Sequence, residues 1–251
     1  MNMKNRELVL LFSEDESHLV EVSNRVFHTR SGIIELKELK KKRYGDKVKT
    51  HLGKEFVLIK PNILDVLEKK LKRLPQIIVP NDIGMMIAYT GIQPGSLIVD
   101  AGTGSGFLAI LLANCVRPGK VVTYENEKRF FKVAKENVNI SGLGKFIELK
   151  KKDVTKGIYE KNVDVVTLDM KDAKKVVKHA YKALRLGGWL VVYSPYVDQV
   201  KELVGEMKRR KFSEIKVIEN ISREWQVEKG VRPKTVGLTH TEFLTFARKL
   251  N

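Results

Sequence analysis

Residues 96–113 have the sequence SLIVDAGTGSGFLAILLA, and this stretch decides the fold that we predict for the chain. The apolar run 97–99 follows the turn pair 94–95, a pattern typical of a strand that is buried on both faces. A glycine turn comes next, and a helical apolar run begins at Phe107. A strand, a glycine turn and a helix N-terminus surround an empty space with backbone N–H groups. The stretch therefore predicts a ligand site at the carboxyl end of a buried strand.

The spacing of the turn glycines, Gly102, Gly104 and Gly106, indicates the class of ligand. It differs from the G-x-G-x-x-G of dinucleotide binders, and no Lys-Ser/Thr pair follows as in a P-loop. Asp100 would repel a pyrophosphate but would accept hydrogen bonds, directly or through water, from the ammonium of an amino-acid-like ligand. The run DAGTGSG therefore resembles motif I of the class I S-adenosylmethionine-dependent methyltransferases. The alternative is a tight turn without a ligand, which three close glycines would weaken for no purpose.

Strand and helix patterns alternate through the rest of the chain, which predicts an α/β fold with a doubly wound, mainly parallel sheet. The predicted strands are 120–125, 146–149, 163–168 and 189–193, with a closing strand pair at 215–221 and 242–247. The predicted helices are 126–140, 173–186, which the glycine pair 187–188 ends, and 197–210. In such a sheet, ligands bind at the carboxyl ends of the strands.

Four acids stand at the carboxyl ends of successive predicted strands: Asp100, Glu125, Asp153 and Asp169. An acid about 20 residues after the glycines, the position of Glu125, bonds ribose hydroxyls. Asp153 can accept a hydrogen bond from an adenine amino group, and Asp169 would lie across the pocket from the methyl donor. A single acid of this kind is more often a solvated loop residue. Four of them beside a glycine turn favour binding roles for Glu125 and Asp169.

Residues 1–75 differ from this pattern, because short alternating apolar segments separated by polar turns predict a small N-terminal β domain. Apolar residues at helical spacing between 62 and 72 predict a linker helix that leads into Pro75. We therefore predict a boundary near residue 75, with a methyltransferase domain over 76–251.

The composition indicates a polyanionic partner. The 251 residues carry a net charge of +17, and the simplest partner for such a chain is nucleic acid, before a membrane. A thermophile surface rich in Lys and Glu would normally balance its signs. Basic clusters at 40–43, 69–73, 150–152 and 208–211 suggest phosphate contacts.

Other classes of site and compartment find little support in the residues. A single cysteine, Cys115, excludes an intrachain disulfide and a cysteine-based zinc site. The five histidines show no metal-ligand spacing, so we expect no metal. No signal peptide or membrane-length apolar run is found, and we expect a cytoplasmic protein without membrane contact.

Several segments outside the glycine turn resemble the tRNA (adenine-N1)-methyltransferases that act in the T-loop, particularly their archaeal and bacterial homotetrameric branch. These segments are Phe27-His28-Thr29 with Gly32, Thr50-His51-x-Gly53 with Phe56, Pro75-Gln76-Ile77-Ile78-x-Pro80-x-Asp82, Arg232-Pro233, His240-Thr241 and Phe246-Ala247-Arg248. The resemblance covers nearly all of the chain. It implies a seven-stranded Rossmann-like methyltransferase sheet, S-adenosyl-L-methionine as methyl donor, tRNA as substrate and a homotetramer.

The resemblance also implies roles for individual residues. Donor contacts are implied for Ile78, Asp100, Gly102, Gly104, Ser105, Gly106, Phe107, Glu125, Asp153, Val154 and Asp169. Asp169 and Tyr193 are implied as the catalytic residues that line the adenine pocket. Substrate contacts are implied for Gln76, Val79, Arg232 and His240.

Three departures from the family pattern concern the adenine pocket more than the donor site. Met170-Lys171 follows Asp169, where the family usually has Asp-x-Pro. Glu242 follows His240-Thr241, where the family usually has glycine. Val79 stands where many members carry an aromatic residue or histidine.

The leading hypothesis is methylation of adenine N1 at tRNA position 58, with position 57 also open. A non-catalytic tRNA-binding subunit is a second hypothesis, against which the intact Asp100, glycine turn and Glu125 argue. A methyltransferase for a small molecule or a protein side chain is a third, which the basic charge and the N-terminal β domain disfavour.

Overall fold

The computed structural model describes residues 2–74, 78–228, 230–235 and 241–251. The chain divides into two compact units, Met1–Leu71 and Lys72–Asn251. The predicted domain limits at 1–75 and 76–251 stay a prediction.

The first unit is built on a four-stranded antiparallel sheet with the order β2-β1-β6-β5, accompanied by the hairpin β3-β4. Its elements are β1 (Leu8–Phe12), β2 (Ser17–Glu21), β3 (Val26–Thr29), β4 (Gly32–Glu35), a 3-10 helix (Leu36–Lys41), β5 (Lys47–Lys49), β6 (Glu55–Ile59) and α1 (Ile63–Lys69). Leu11, Phe56 and Leu58 have no exposed surface and centre a core of its own.

The Thr50-His51 segment of this unit fixes the hairpin β3-β4. His51 Nδ1 accepts a hydrogen bond from the Ile33 backbone N–H at 2.8 Å, and the Thr50 hydroxyl donates to the Ser31 carbonyl at 2.8 Å. A Cβ on Gly32 would lie only 3.0 Å from His51 Nδ1. Thr50 and His51, which belong to the segments that resemble the family, therefore have a structural function in the hairpin.

The second unit contains a seven-stranded sheet with the order β12-β15-β11-β10-β7-β8-β9. The strands of the second unit, which include β13 and β14 outside this sheet, are β7 (Leu97–Ala101), β8 (Lys120–Tyr124), β9 (Ile147–Lys150), β10 (Val163–Leu168), β11 (Leu184–Ser194), β12 (Phe212–Glu219), β13 (Trp225–Gln226), β14 (Arg232–Pro233) and β15 (Phe243–Lys249). Its helices are α2 (Pro80–Thr90), α3 (Phe107–Val116), α4 (Lys128–Ser141), α5 (Ala173–Ala183) and α6 (Val197–Arg209), with 3-10 turns at Gly144–Phe146 and Val154–Lys156.

Only β15 runs antiparallel to its neighbours in this sheet, and the other ladders are parallel. The prediction of a doubly wound, mainly parallel sheet is confirmed. The carboxyl ends of β7, β8, β9 and β10 therefore meet at one edge, which brings the four acids of the sequence analysis together.

Two element predictions need correction. The helix predicted over 173–186 ends at Ala183, and Gly187 and Gly188 lie within β11 instead of ending a helix. A Cβ on Gly188 would lie 2.9 Å from the Val163 carbonyl oxygen, so glycine is needed where the strand approaches β10. The sequence analysis also assigned no element to α2, which has Pro80 at its first position and ends at Gly91 with φ 67°.

Candidate active site

A cavity of about 360 Å³ opens at the carboxyl edge of the sheet, in the size range of small-molecule sites. It is lined by Leu74, Gly102, Gly104, Tyr124, Glu125, Asn126, Glu127, Phe130, Lys152, Asp153, Val154, Asp169 and Met170. Six of the predicted donor residues are among these. Tyr124, Phe130 and Lys152 were not predicted, because nothing in their local sequence distinguishes them from core or surface residues.

Asp100 lies fully buried beneath the glycine turn. Its two carboxylate oxygens accept hydrogen bonds from the hydroxyls of Thr123 at 2.6 Å and Thr167 at 2.8 Å. Because Thr123 donates to Asp100, the hydroxyl of Thr103 must donate to Thr123, at 2.6 Å. Burial raises the pKa of Asp100, and the two hydroxyls offset part of that rise. Asp100 thus anchors β7 to both neighbouring strands, and its predicted direct contact with a donor ammonium stays a prediction.

The glycines of the turn meet two different requirements. Gly102 has φ +90°, and a Cβ there would lie 1.9 Å from the carbonyl oxygen of Asp169. Gly104 has φ +55°, and its Cβ would point into open space, 3.8 Å from the Gly102 carbonyl oxygen. Gly102 therefore allows the turn to contact the backbone of Asp169, whereas Gly104 leaves free volume for a ligand.

Glu125 closes the turn from the end of β8. Its Oε2 accepts from the Gly104 backbone N–H at 3.0 Å, and its Oε1 accepts from the Glu127 backbone N–H at 2.8 Å. The carboxylate is 6% exposed and lines the cavity. Each oxygen keeps a further lone pair, so the fixed carboxylate can still accept hydroxyl hydrogen bonds from a ligand.

Asp153 begins the 3-10 turn that follows β9. Its Oδ1 accepts from the backbone N–H of Thr155 at 2.9 Å and from the Thr155 hydroxyl at 2.6 Å, and these hydrogen bonds lower its pKa. Oδ1 is the only carboxylate oxygen used in these bonds. Val154, the next residue, is buried and also lines the cavity.

Asp169 lies directly after β10, on the opposite side of the turn from Glu125. Its backbone N–H donates to the Ala101 carbonyl at 2.9 Å, which holds the residue against β7. Burial, and next the nearby Asp100 carboxyl, raise the pKa of Asp169 to about 7. Strongly shifted pKa values of this kind cluster at functional sites, which makes Asp169 a candidate for a functional role.

Tyr193 belongs to a second buried acidic cluster at the same edge of the sheet. Its hydroxyl donates to Oδ2 of Asp82 at 2.7 Å, and Asn220 donates to Oδ1 of Asp82 at 3.1 Å. Burial, and next the hydrogen bond to Asp82, raise the pKa of Tyr193. Tyr193 and Asn220 lie 111 and 138 residues from Asp82 in the sequence, so no local pattern could have indicated this cluster.

Glu242 is the third carboxyl in this region and the least satisfied. Its Oε2 is buried and has no hydrogen-bond partner among the residues that the structure describes. Burial, followed by the charges of Asp169 and Asp82, raises the pKa of Glu242 to about 8. The residue that departs from the family pattern is therefore a carboxyl for which burial favours the protonated form.

The other predicted site residues occupy mixed positions. Ile78, Ser105 and Phe107 are buried, and Val79 precedes α2 as its N-cap residue. Gly106 takes φ +84° immediately before α3. Arg232 is exposed in β14. Two predicted substrate contacts, Gln76 and His240, lie outside the described residues.

None of the helices in residues 2–74, 78–228, 230–235 and 241–251 is long and apolar enough to cross a membrane. Over the same ranges, no group of three or more His, Cys, Asp or Glu side chains could hold a metal ion.

The arrangement at the cavity fits a nucleoside-containing methyl donor better than a phosphorylated one. A glycine turn offers open space beside backbone N–H groups, and a fixed carboxylate faces that space. Carboxylates at the ends of three strands would repel a polyphosphate. The residues present therefore fit S-adenosyl-L-methionine, which carries a sulfonium, an ammonium, a ribose and an adenine.

Comparison with known proteins agrees with this fit. A family model described as "tRNA methyltransferase complex GCD14 subunit" matches residues 55–239. The chain is 37% identical to a tRNA (adenine(57)-N(1)/adenine(58)-N(1))-methyltransferase of Methanocaldococcus jannaschii, over 96% of this chain and 94% of that protein. It is 33% identical to a tRNA (adenine(58)-N(1))-methyltransferase of Thermus thermophilus, over 89% of both chains.

Two solved structures share the whole architecture. A Thermotoga maritima protein described as an SAM-dependent O-methyltransferase superposes with a TM-score of 0.89 at 31% identity, over 100% of this chain and 95% of that one. The tRNA (m1A58) methyltransferase of Aquifex aeolicus gives a TM-score of 0.83 at 23% identity over both full chains, which shows the shared fold. Together, the family match and the extent of identity to the curated relatives show that this chain belongs to the tRNA methyltransferase family that the matching model describes.

Proposed function

We propose that the protein transfers a methyl group from S-adenosyl-L-methionine to N1 of an adenine in the T-loop of tRNA, at position 58 alone or at both 57 and 58. The observation that carries the proposal is the backbone contact between Gly102 and Asp169, where a Cβ would lie 1.9 Å from the Asp169 carbonyl oxygen. This contact sets a partly exposed carboxyl directly beside the donor cavity. The names of the relatives in Methanocaldococcus jannaschii and Thermus thermophilus support the choice of substrate.

Donor binding rests on residues that are already fixed by hydrogen bonds. Gly104 leaves the volume, and Glu125 presents its two bound oxygens toward the ribose. Asp153 has a second carboxylate oxygen for the adenine amino group, next to the apolar wall formed by Val154. When bound, S-adenosyl-L-methionine supplies an electrophilic methyl group.

Asp169 stabilises the charge that appears on the substrate base. N1 of adenine has a lone pair in the ring plane and would attack the donor methyl group without prior loss of a proton. The methyl–sulfur bond would break at the same time, and its electron pair would leave with S-adenosylhomocysteine. Positive charge then develops on the ring and is shared with the exocyclic N6 amino group. An ionised Asp169 that accepts a hydrogen bond from N6–H interacts more strongly as this charge grows, which lowers the barrier and not only the binding energy.

The substrate base must leave the tRNA fold to reach Asp169, because its N1 edge is otherwise engaged in pairing. Tyr193 and Asp82 contribute a rigid, buried wall near the acid, held by their mutual hydrogen bond. Burial of this region raises the pKa of Asp169 and Glu242, and it strengthens each electrostatic contact with a bound base.

The homotetrameric assembly and the cytoplasmic location also belong to this proposal. The assembly comes from the resemblance to the archaeal and bacterial branch of the family, and the location is the expectation drawn from the sequence. The net charge of +17 supports tRNA as the partner.

The test is mass-spectrometric mapping of unmodified tRNA after incubation with the protein and labelled donor. We expect one labelled 1-methyladenine at position 58, or one each at 57 and 58. Donor binding in calorimetry without any transfer would indicate a protein that has lost catalysis, and absence of donor binding would indicate a non-catalytic subunit. Label on a small molecule or a protein, with none on tRNA, would overturn the choice of substrate.

A further inference from the structure

A second groove, of about 650 Å³, lies between α5, α6 and the 3-10 turn after β9. Its lining is charged almost throughout, with six cationic and three anionic side chains. These are Lys171, Lys174, Lys175, Lys178, Arg209 and Arg210, with Asp172, Glu202 and Glu206; Thr155 completes the lining. The groove therefore carries an excess of three positive charges.

Internal ion pairs leave part of this charge free. Lys174 pairs with Glu202 at 3.1 Å, and Lys175 pairs with Asp172 at 3.0 Å. Lys171 and Lys178 are exposed, and within the described residues neither has a carboxylate partner.

The two arginines at the end of α6 share a single carboxylate, Glu206, which is only 9% exposed. Arg209 Nε donates to Glu206 Oε2 at 2.8 Å, and Arg210 Nε donates to Glu206 Oε1 at 2.8 Å. Across the described part of the chain, Nη1 of Arg209 and both Nη atoms of Arg210 have no hydrogen-bond partner. One carboxylate thus fixes two guanidiniums and leaves donors directed to other ligands, the arrangement that suits phosphate oxygens.

The position of the groove links it to the candidate active site. Asp153 and Val154 line the donor cavity, and the next residue, Thr155, lines the groove. Asp169 and Met170 line the cavity, and Lys171 lines the groove. The same two loops therefore line both the donor cavity and the groove. A polyanion that contacts Lys171 in the groove would touch a residue only two positions after Asp169 in the sequence.

We propose that this groove binds backbone phosphates of the RNA whose adenine enters the pocket at Asp169. The inference rests on the proposed function, and it adds the surface that holds the substrate. Lys171 precedes α5, and Lys178 lies five residues after the first residue of that helix, a rise of about 7.5 Å, so the two lysines are spaced to contact more than one phosphate of a strand. Contacts of this kind position an RNA without reading its sequence.

The experiment compares two double variants with the same change in net charge. Lys171→Glu with Lys178→Glu reverses the free charges of the groove. Lys132→Glu with Lys135→Glu reverses two exposed lysines of α4 as a matched control. We measure KM for tRNA, kcat at saturating tRNA, the dependence of tRNA affinity on salt, donor affinity and the thermal midpoint.

For the groove variant we expect KM for tRNA to rise roughly tenfold or more, with a much smaller change in kcat. The slope of log affinity against log salt concentration should become less negative by about 1–2, since each lost phosphate contact removes about 0.7–0.9 counterion. Donor affinity and thermal midpoint should match the wild type, and the control variant should change each quantity far less.

Equal effects of the two double variants on KM and on the salt slope would overturn the proposal, because the groove would then act only through net charge. Unchanged KM in the groove variant would overturn it as well. Failure of the proposed function looks different, since the wild-type protein itself would then leave tRNA unmethylated.

Discussion

The two halves of the carboxyl edge are built on opposite principles. On the donor side, Asp100 and Glu125 have all their carboxylate oxygens bound by hydroxyl or backbone donors within the fold. On the acceptor side, burial raises the pKa of Asp169 to about 7 and that of Glu242 to about 8. The Oε2 atom of Glu242 is buried, and within the described part of the chain it has no hydrogen-bond partner.

This difference shows how a transfer site divides its work. A donor pocket that is complete before the ligand arrives loses little conformational freedom on binding. An acceptor pocket with unsatisfied carboxyls is costly for the fold, but its groups gain most when a positive charge appears beside them. We therefore expect changes on the donor side to affect binding. On the acceptor side, we expect a change at Asp169 to lower the rate, and removal of the charge of Asp169 or Glu242 to spare the fold the cost of ionising a carboxyl whose pKa is raised.

The largest effect is expected from Gly104→Val on the donor side. The new side chain would occupy the open volume that a Cβ at this position meets, so donor binding should be lost at concentrations that saturate the wild type. The positive φ adds a strain of about 1–2 kcal/mol, which is a fall of only a few degrees in thermal midpoint. Calorimetry and thermal unfolding separate the two effects.

Gly102→Ala is the comparison for that variant. Its Cβ would lie 1.9 Å from the Asp169 carbonyl oxygen, so the backbone must move and both stability and donor binding should decrease strongly. Unchanged donor affinity in Gly104→Val would contradict the assignment of the turn.

Next in size is Asp169→Asn on the acceptor side. The substitution keeps the size of the side chain, removes its charge and can present an N–H to the N6 donor. We expect kcat to fall roughly 10²–10³-fold, by analogy with the loss of one charge-stabilising contact, while donor affinity changes much less. Single-turnover rates with tRNA measure the chemical step.

The pH dependence of the rate provides a second test of the role of Asp169. Because only the ionised Asp169 carries the negative charge that stabilises the developing cation, kcat/KM of the wild type should rise with pH through about 7. Since the native pKa lies above the unfolded value, ionisation of Asp169 costs stability progressively from about pH 4 to pH 7. At pH 8 the Asn variant should therefore unfold at a temperature no lower than the wild type. A variant with near-wild-type rates would mean that Asp169 only shapes the loop.

A smaller effect is expected from Tyr193→Phe, which removes one of the two side-chain donors to the fully buried Asp82. Leaving this carboxyl with an unmet hydrogen bond should lower the free energy of unfolding by about 1–3 kcal/mol. If Tyr193 also contacts the base, kcat should fall beyond what Asn220→Ala causes, because Asn220 donates to the same Asp82. Denaturant unfolding and single-turnover rates of the two variants decide between a structural role and a catalytic one.

The smallest effect is expected from Glu242→Gln. Burial raises the pKa of Glu242 above its unfolded value, so the wild type loses stability as the pH rises from about 4.5 to 8. The Gln variant lacks this loss, and its thermal midpoint should exceed that of the wild type by a few degrees at pH 8.5 but not at pH 4. Glu228→Gln, at an exposed position, serves as the control and should show no such dependence.

The sequence by itself determined the features that depend on neighbouring residues. The apolar run of β7, the glycine turn and the alternation of strands and helices are local patterns, and the fold requires the acids that end those strands to meet at one edge. The positions of Asp100, Glu125, Asp153 and Asp169 followed from that rule alone. The end of α5 did not, because the local pattern of Gly187 and Gly188 is typical of a helix end. In the fold, both lie within β11, where Gly187 takes φ +78° and Gly188 allows a close approach to β10.

Only the tertiary structure decided what each acid can do. The protonation of Asp169 and Glu242 depends on burial and on charges that are distant in the chain, and no spacing encodes these. Asp82 became part of the acceptor side only because Tyr193 and Asn220 reach it from other strands and loops. Gly102 shows the same division for the backbone. Its place in a glycine turn is local, but its need to lack a Cβ comes from the carbonyl of Asp169, which is 67 residues away.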